Sequence, residues 1–386
     1  MNLQNLELLR SPAVASKAHY IMIGGFLGAG KTTAVAQLAR RLSDQGLRVG
    51  LITNDQGREL VDTRMLRSRG FSTEEIPGGC FCCRFNSLLE ASKRLNETSR
   101  PQVFIAEPVG SCTDLVATVT YPLRRLYGTD FRIAPLSVLV DPIRALRVLG
   151  LEPGSGFSEK VLYIYQKQLE EADLIVISKS DLLDEARLRA LRTALSQRFP
   201  RAEILTVSAR TGTNLDSWFT RLTSQEQVPG AAMHIDYDVY ADGEALLGWL
   251  NATVHLRATE GLDSDHFLKY LAADLQTRLA AVDAEIAHLK MTLSPEHGLG
   301  DIAVINLVRN DYIPELSLRL QEPVTAGQLI INLRAEADPD ALNRALKESL
   351  ANLSSKFPAV NAELDHLEHF RPGRPNPTHR FESTLA

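Results

Sequence analysis

Two local clusters hold the residues with the clearest chemistry. The first, Gly25-Phe26-Leu27-Gly28-Ala29-Gly30-Lys31-Thr32-Thr33, has the Gly-x4-Gly-Lys-Thr spacing of a phosphate-cradling loop. Small residues at Gly25, Gly28, Ala29 and Gly30 let backbone N–H groups turn inward on phosphate oxygens, and a helix opening at Lys31 adds its positive end. Lys31 would neutralise β/γ-phosphate charge and the Thr32 hydroxyl would ligate Mg2+, with Thr33 counted among the nucleotide contacts. The second cluster, Cys80-Phe81-Cys82-Cys83, follows Pro77-Gly78-Gly79, a run suited to a sharp bend. Three thiolates select Zn2+, Cu(I) or a similar ion such as Co2+ and leave a tetrahedral shell one ligand short, which suits a carrier better than a closed structural site.

Partners for the phosphate loop are present. Val103-Phe104-Ile105-Ala106-Glu107 is an apolar strand that delivers a carboxylate to hold a Mg2+-bound water or orient the attacking one, and Gly110 is placed to donate its N–H to a γ-phosphate. Ser178-Lys179-Ser180-Asp181 resembles the Asn-Lys-x-Asp guanine-reading element, with Ser178 in the usual Asn position. Asp181 would accept hydrogen bonds from guanine N1 and N2, Lys179 would lie along the base, and Ser208-Ala209-Arg210 fits the loop that closes the guanine edge. Adenine offers no such donors, so GTP is the expected nucleotide. Asn54-Asp55 and Glu74-Glu75 are nearby oxygen donors that are not assigned as ligands of the thiol-bound metal. Cys112 stands apart as a small buried residue or a neighbour of a switch loop. The nine histidines form no run; His366 and His369 have helical i, i+3 spacing, which suits chelation but also a solvated helix end.

These groups need a scaffold. From Tyr20 to Val207 short apolar runs alternate with helical patterns, the signature of a mostly parallel α/β sheet with helices on both faces. Strands are expected at 20–23, 48–53, 103–106, 136–140, 174–177 and 204–207, most of them ending at a polar residue where an open α/β sheet gathers its ligands. At 386 residues the chain exceeds what one core usually organises, and the polar run 223–230, ending in Pro229-Gly230, reads as a linker. Beyond it a smaller α+β unit is expected. It has strands at 255–257, 302–308, 316–320 and 329–333, helices at 263–289 and 338–357, and an irregular Pro-rich tail lying across a surface.

Composition narrows the partners. A formal net charge of -5 with no long Lys/Arg run argues against a nucleic-acid groove or an anionic membrane. No run of about 20 apolar residues exists to span a bilayer, and residues 1–19 lack a secretion-signal layout, so a cytoplasmic location is expected. Four cysteines, three of them clustered, fit a thiolate site in a reducing compartment better than a disulfide framework.

With the phosphate loop, Gly79-Cys80-Phe81-Cys82-Cys83, Glu107-x-x-Gly110 and Ser178-Lys179-Ser180-Asp181 in place, the chain resembles the CobW-type metallochaperone GTPases, relatives of HypB and UreG. The resemblance covers residues 20 to about 215. It implies a P-loop GTPase domain at 20–225 after an extension at 1–19, and a CobW C-terminal-like domain at 231–386. It also implies GTP hydrolysis coupled to transfer of a metal, zinc foremost, from the cysteine loop to a client metalloenzyme, and leaves a homodimer open. Asn54-Asp55 stands where the family has an Asn-acid pair, which adds Asp55 to Lys31, Thr32 and Glu107 as a catalytic candidate near Mg2+. Glu107-Pro108-Val109 departs from the frequent Glu-Thr-Thr, and no histidine tract is present.

Overall fold

The computed structural model describes residues 17–54, 66–67, 70–128, 130–154, 156–297 and 301–383. Asp55 and the first 16 residues of the extension lie outside that set. The first sheet contains β1 (Ala18–Gly25), β2 (Val49–Asn54), β3 (Ser72–Ile76), β4 (Val103–Glu107), β5 (Phe131–Ile133), β6 (Ser137–Val140), β7 (Leu174–Ile177) and β8 (Glu203–Thr206). Its order is β3-β2-β4-β1-β6-β7-β8 with β5 beside β1, and every pairing is parallel. Parallel strands need cover on both faces. The apolar runs of β1, β4, β6 and β7 supply side chains to both. On one side α1 (Lys31–Asp44) and α7 (Leu215–Ser224) bury Leu38, Leu42, Trp218 and Phe219. On the other, α2 (Phe85–Thr98), α5 (Glu159–Glu170) and α6 (Glu185–Arg198) bury Phe85, Leu88, Ile164 and Leu191. Two short helices, α3 (Tyr121–Tyr127) and α4 (Pro142–Val148), follow β4 and β6.

After α8 (Tyr237–Leu246) the chain forms an antiparallel sheet in the order β12-β11-β10-β13-β9-β14. Its strands are β9 (Leu247–Leu262), β10 (Glu285–Pro295), β11 (Ala303–Leu307), β12 (Glu315–Leu318), β13 (Val324–Glu336) and β14 (Val360–Phe370). The helices α9 (Ser264–Ala280) and α10 (Pro339–Lys356) cover one face through Phe267, Leu271, Leu342 and Leu346. The opposite face carries polar side chains that are buried or half-buried. Asn306, Lys290, Asn332 and Asn251 lie in register on four neighbouring strands, and Asn332 Nδ2 donates to Asn251 Oδ1 at 2.9 Å. Among the described residues no helix is long and apolar enough to cross a membrane.

Three expectations need correction. The helix expected over 263–289 stops at Ala280; Asp283 turns the chain with φ 53°, and β10 begins at Glu285. Ile286 and Leu289 fit a helical stripe, yet Leu289, Met291 and Leu293 alternate with Lys290 and Thr292, and that period of two prevails because it places the three apolar residues in the core. The strand expected at 255–257 is the middle of a 16-residue strand. His366 and His369 sit on β14, not on a helix, opposite Thr253 and Leu250. His369 pairs with Asp340 on α10, and among the described residues neither imidazole belongs to a group compact enough to hold a metal ion.

Candidate functional site

A cleft of about 400 Å³ opens at the carboxyl ends of the parallel strands, and β10, β11 and β13 of the second sheet form its far wall. The phosphate loop links β1 to α1. Gly25 has φ 130°, and a Cβ there would run into the Leu139 carbonyl of β6, so the turn requires glycine. Lys31 Nζ donates to the carbonyls of Gly25 at 2.9 Å and Phe26 at 3.3 Å, which holds the ammonium over the loop. Thr32 Oγ1 donates to Glu107 Oε1 at 2.9 Å. A hydroxyl from α1 and a carboxylate from β4 thus meet at the loop, an oxygen pair of the kind Mg2+ takes. Gly110 presses on the same loop: a Cβ there would lie 2.9 Å from Leu27 N.

At the other end of the cleft, Ser178 Oγ donates to Ala29 O at 2.8 Å, so the shorter side chain in the Asn position still braces the phosphate loop. Lys179, in the left-handed region at φ 48°, donates from Nζ to Gly28 O and to Asp141 Oδ2, each at 2.9 Å. Asp181 Oδ1 accepts from Ser208 Oγ at 2.5 Å, and Arg210 pairs with both Asp181 and Glu315 of β12. Ala209 O accepts from Gln37 of α1 at 2.7 Å. Lys179, Asp181, Ser208 and Ala209 are therefore gathered at one end of the loop. Asp141 caps α4 by accepting from Arg144 N, and it also takes Arg309 Nη1 at 3.1 Å from the segment after β11. Arg144 reaches Leu27 O in the phosphate loop and the carbonyls of Ala287 and Val308 across the cleft.

The three clustered thiols converge. Cys80 Sγ lies 2.7 Å from Cys82 Sγ and 3.1 Å from Cys83 Sγ, and the last two are 3.6 Å apart. Among the described residues theirs is the group of His, Cys, Asp or Glu side chains compact enough to hold a metal ion. The bend before them comes from Gly78 and Gly79, and α2 begins two residues after Cys83. Hydrogen bonds from Cys112, Cys82 and Cys83 hold Cys80 well below the usual thiol range, whereas burial and the bond to Cys80 push Cys112 up. Cys83 rises to about 11 through its bond to Cys80. Cys80 is thus the thiol of the group that gives up its proton most readily, as a metal ligand must. Of the nearby acids, Glu74 pairs with Arg94 on α2.

Two connections escaped the sequence reading. Asn54, at the end of β2 and lining the cleft, donates from Nδ2 to Gly79 O at 2.6 Å and to Ile76 O at 2.9 Å, which ties the cleft to the residue before Cys80. The Pro-rich tail crosses the cysteine loop itself. Asn376 N donates to Cys83 Sγ at 3.2 Å, Thr378 N to Cys82 O at 2.8 Å, and the His379 ring packs edge-on against Phe85. The asparagine beside Asp55 was a sequence signal for the first; no local pattern marks the second. The polar wall from Lys290, Asn306 and Asn332 forms only when β10 pairs with β11 and β13.

The family model described as CobW/HypB/UreG, nucleotide-binding domain, matches residues 19–206. Over that span, just under half of its length, the chain is similar to this family. The matched segment holds the phosphate loop, the cysteine loop, Glu107 and the Lys179–Asp181 element, so the similarity spans both groups of side chains described above. A zinc chaperone CobW from Sinorhizobium sp is 32% identical over 214 residues, which is 50% of this chain and 58% of that protein. A zinc chaperone YeiR from Escherichia coli (strain K12) is 32% identical over 163 residues, covering 42% and 46%. A zinc chaperone YjiA from the same strain is 27% identical over 194 residues, covering 48% and 56%. The chain matches about half the length of these curated relatives.

Proposed function

We propose that the protein is a GTP-hydrolysing metallochaperone that holds a transition metal, zinc foremost, on Cys80, Cys82 and Cys83 and passes it to a client protein in step with nucleotide turnover. In this reading Gly25, Gly28, Ala29 and Gly30 cradle the phosphates, Lys31 neutralises their charge, Thr33 and Gly110 add contacts, and Lys179, Asp181, Ser208 and Ala209 receive the guanine. Thr32 and Glu107 would hold Mg2+, whose charge neutralises the β- and γ-phosphates. The zinc chaperones among the relatives favour zinc as cargo.

The observation that carries the proposal is the Asn54 side chain. It lines the nucleotide cleft and bonds the carbonyl next to Cys80, so a shift at the end of β2 moves the thiol loop. Metal delivery timed by the nucleotide requires metal affinity to differ between nucleotide states. Chelator competition on the full chain is expected to give zinc dissociation constants that differ by about fivefold or more between a non-hydrolysable GTP analogue and GDP. Equal constants in both states and without nucleotide would sink the chaperone reading.

The tail has a role in the same cycle. Chain truncated after Phe370 loses the donor to Cys83 Sγ and the cover over the loop. Zinc transfer to a chromogenic chelator is expected to be about tenfold faster than in the full chain, equivalent to one lost hydrogen bond to a charged group. An unchanged transfer rate with the fold retained would mean that the tail does not restrain release.

A further inference from the structure

The antiparallel sheet brings its own charge to the nucleotide cleft. Of the charged side chains that line it, Lys31, Lys179, Arg210, Glu107 and Asp181 come from the parallel-sheet side, and Lys290, Arg334 and Glu315 from the antiparallel sheet. That is five cations to three carboxylates in a chain whose net charge is -5. A cleft lined with a surplus of one sign gathers ions of the other. The two cations of the far wall are buried on neighbouring strands, Lys290 on β10 and Arg334 on β13. Arg334 serves the wall itself: Nη1 donates to the carbonyls of Leu250 at 2.9 Å and Leu333 at 3.0 Å, and the guanidinium lies 3.9 Å from the centre of the Trp249 ring.

The place of Lys290 follows from where β10 enters the cleft. A Cβ on Gly28 would lie 2.8 Å from Val308 and 3.3 Å from the Ala287 carbonyl, so the start of β10 and the end of β11 rest on the crest of the phosphate loop. Arg144 fastens this contact through the carbonyls of Leu27, Ala287 and Val308. Gly110, placed for the γ-phosphate, presses on Leu27, the residue next to Gly28. Lys290 follows three residues after Ala287, about 10 Å along the strand, and its flexible stem spans the gap to a phosphate held on the loop. Asn306 and Asn332 flank it in register, and their amides donate to Ser317 at 2.7 Å and Asn251 at 2.9 Å, which fixes the wall on both sides of the lysine.

We propose that Lys290 contacts the terminal phosphate of bound GTP, a second cation that joins Lys31 from across the cleft. The proposal rests on the GTPase part of the reading above and deepens it, because it makes the antiparallel sheet part of the nucleotide site. The ammonium meets oxygens that gain negative charge during phosphoryl transfer and gives up no proton itself. GDP lacks that phosphate, so the contact belongs to the triphosphate state.

The test compares the full chain with Lys290→Ala and Lys290→Arg, using fluorescent GDP and a fluorescent non-hydrolysable GTP analogue. Lys290→Ala is expected to weaken the analogue about tenfold or more, as for one lost charge-assisted hydrogen bond, and to leave GDP affinity within about twofold. Single-turnover GTP hydrolysis should slow about 100-fold. Lys290→Arg keeps the charge and should recover most of the analogue affinity. Equal weakening of both nucleotides, or of neither, would overturn the assignment and leave the GTPase reading standing; an unaltered chain that binds neither nucleotide would overturn both. If the variants do not fold, the unaltered chain decides with an acyl phosphate of GTP, whose acyl carbon is taken by a lysine amine near the terminal phosphate as the phosphate oxygen leaves. Peptide mass spectrometry is expected to find the acyl group on Lys290 as well as Lys31, with excess GTP blocking both. Absence of label from Lys290 would refute the contact.

Discussion

Lys31→Ala is expected to lower GTP turnover at least about 100-fold, measured as phosphate release at saturating nucleotide, with thermal stability little changed. The ammonium is buried at the centre of the phosphate loop, held by the carbonyls of Gly25 and Phe26. That position is fixed before any nucleotide arrives, since the loop orders the side chain with its own backbone. A preorganised charge aimed at oxygens that become more negative during phosphoryl transfer is worth a factor of about 100 to 1,000 in rate, because no reorganisation is needed at the moment of reaction. Alanine leaves two carbonyls facing the cleft and adds no steric strain, which is why the loss should appear in turnover and not in folding. Turnover within threefold of the unaltered chain would mean that this loop does not carry the chemistry.

Asp141→Ala is expected to cost roughly 3 to 5 kcal/mol of stability, read as a lowered denaturant midpoint. The carboxylate is buried between Lys179, Arg309 and the amide of Arg144, so its removal takes the shared counter-charge from two cations between the two sheets. Burial alone would raise its pKa, but Lys179, Arg144 and Arg309 outweigh it and hold the group down at about 2. The sign follows from linkage. A carboxyl with a folded pKa below its unfolded value of about 3.9 contributes stability that is complete above that pH. The contribution is lost as pH falls through about 2, so the variant should lack the part of the acid-induced loss that Asp141 supplies to the unaltered chain between pH 4 and 2. The substitution also frees Lys179 from one of its two partners, so guanine affinity should weaken in parallel. A midpoint and an acid transition both matching the unaltered chain would show that Asp141 is not the ion-pair centre that this geometry makes it.

Both effects concern residues that were visible early, at least as strand-end polar groups, but their partners were not. The parallel sheet was legible because each of its central strands is a short, fully apolar run between helical patterns, a signal confined to a few neighbouring residues. The phosphate loop was legible for the same reason: its function needs particular backbone angles and donors within nine positions. The second sheet was harder. Its strand β10 carries apolar residues that satisfy a helical and an extended period over a short window, and only pairing with β11 and β13 decides between them.

The chain by itself determined the phosphate loop, the thiol triplet and the strand-end acids, since each is a spacing rule acting over a few bonds. Tertiary structure alone decided that Asn54 grips the carbonyl beside Cys80, that the tail lies over Cys83 and that a polar wall faces the cleft. Those contacts join residues from 25 to 293 positions apart. They exist only after the sheets have packed, because burial and the need to satisfy each buried donor select partners by place in space and not by order along the chain.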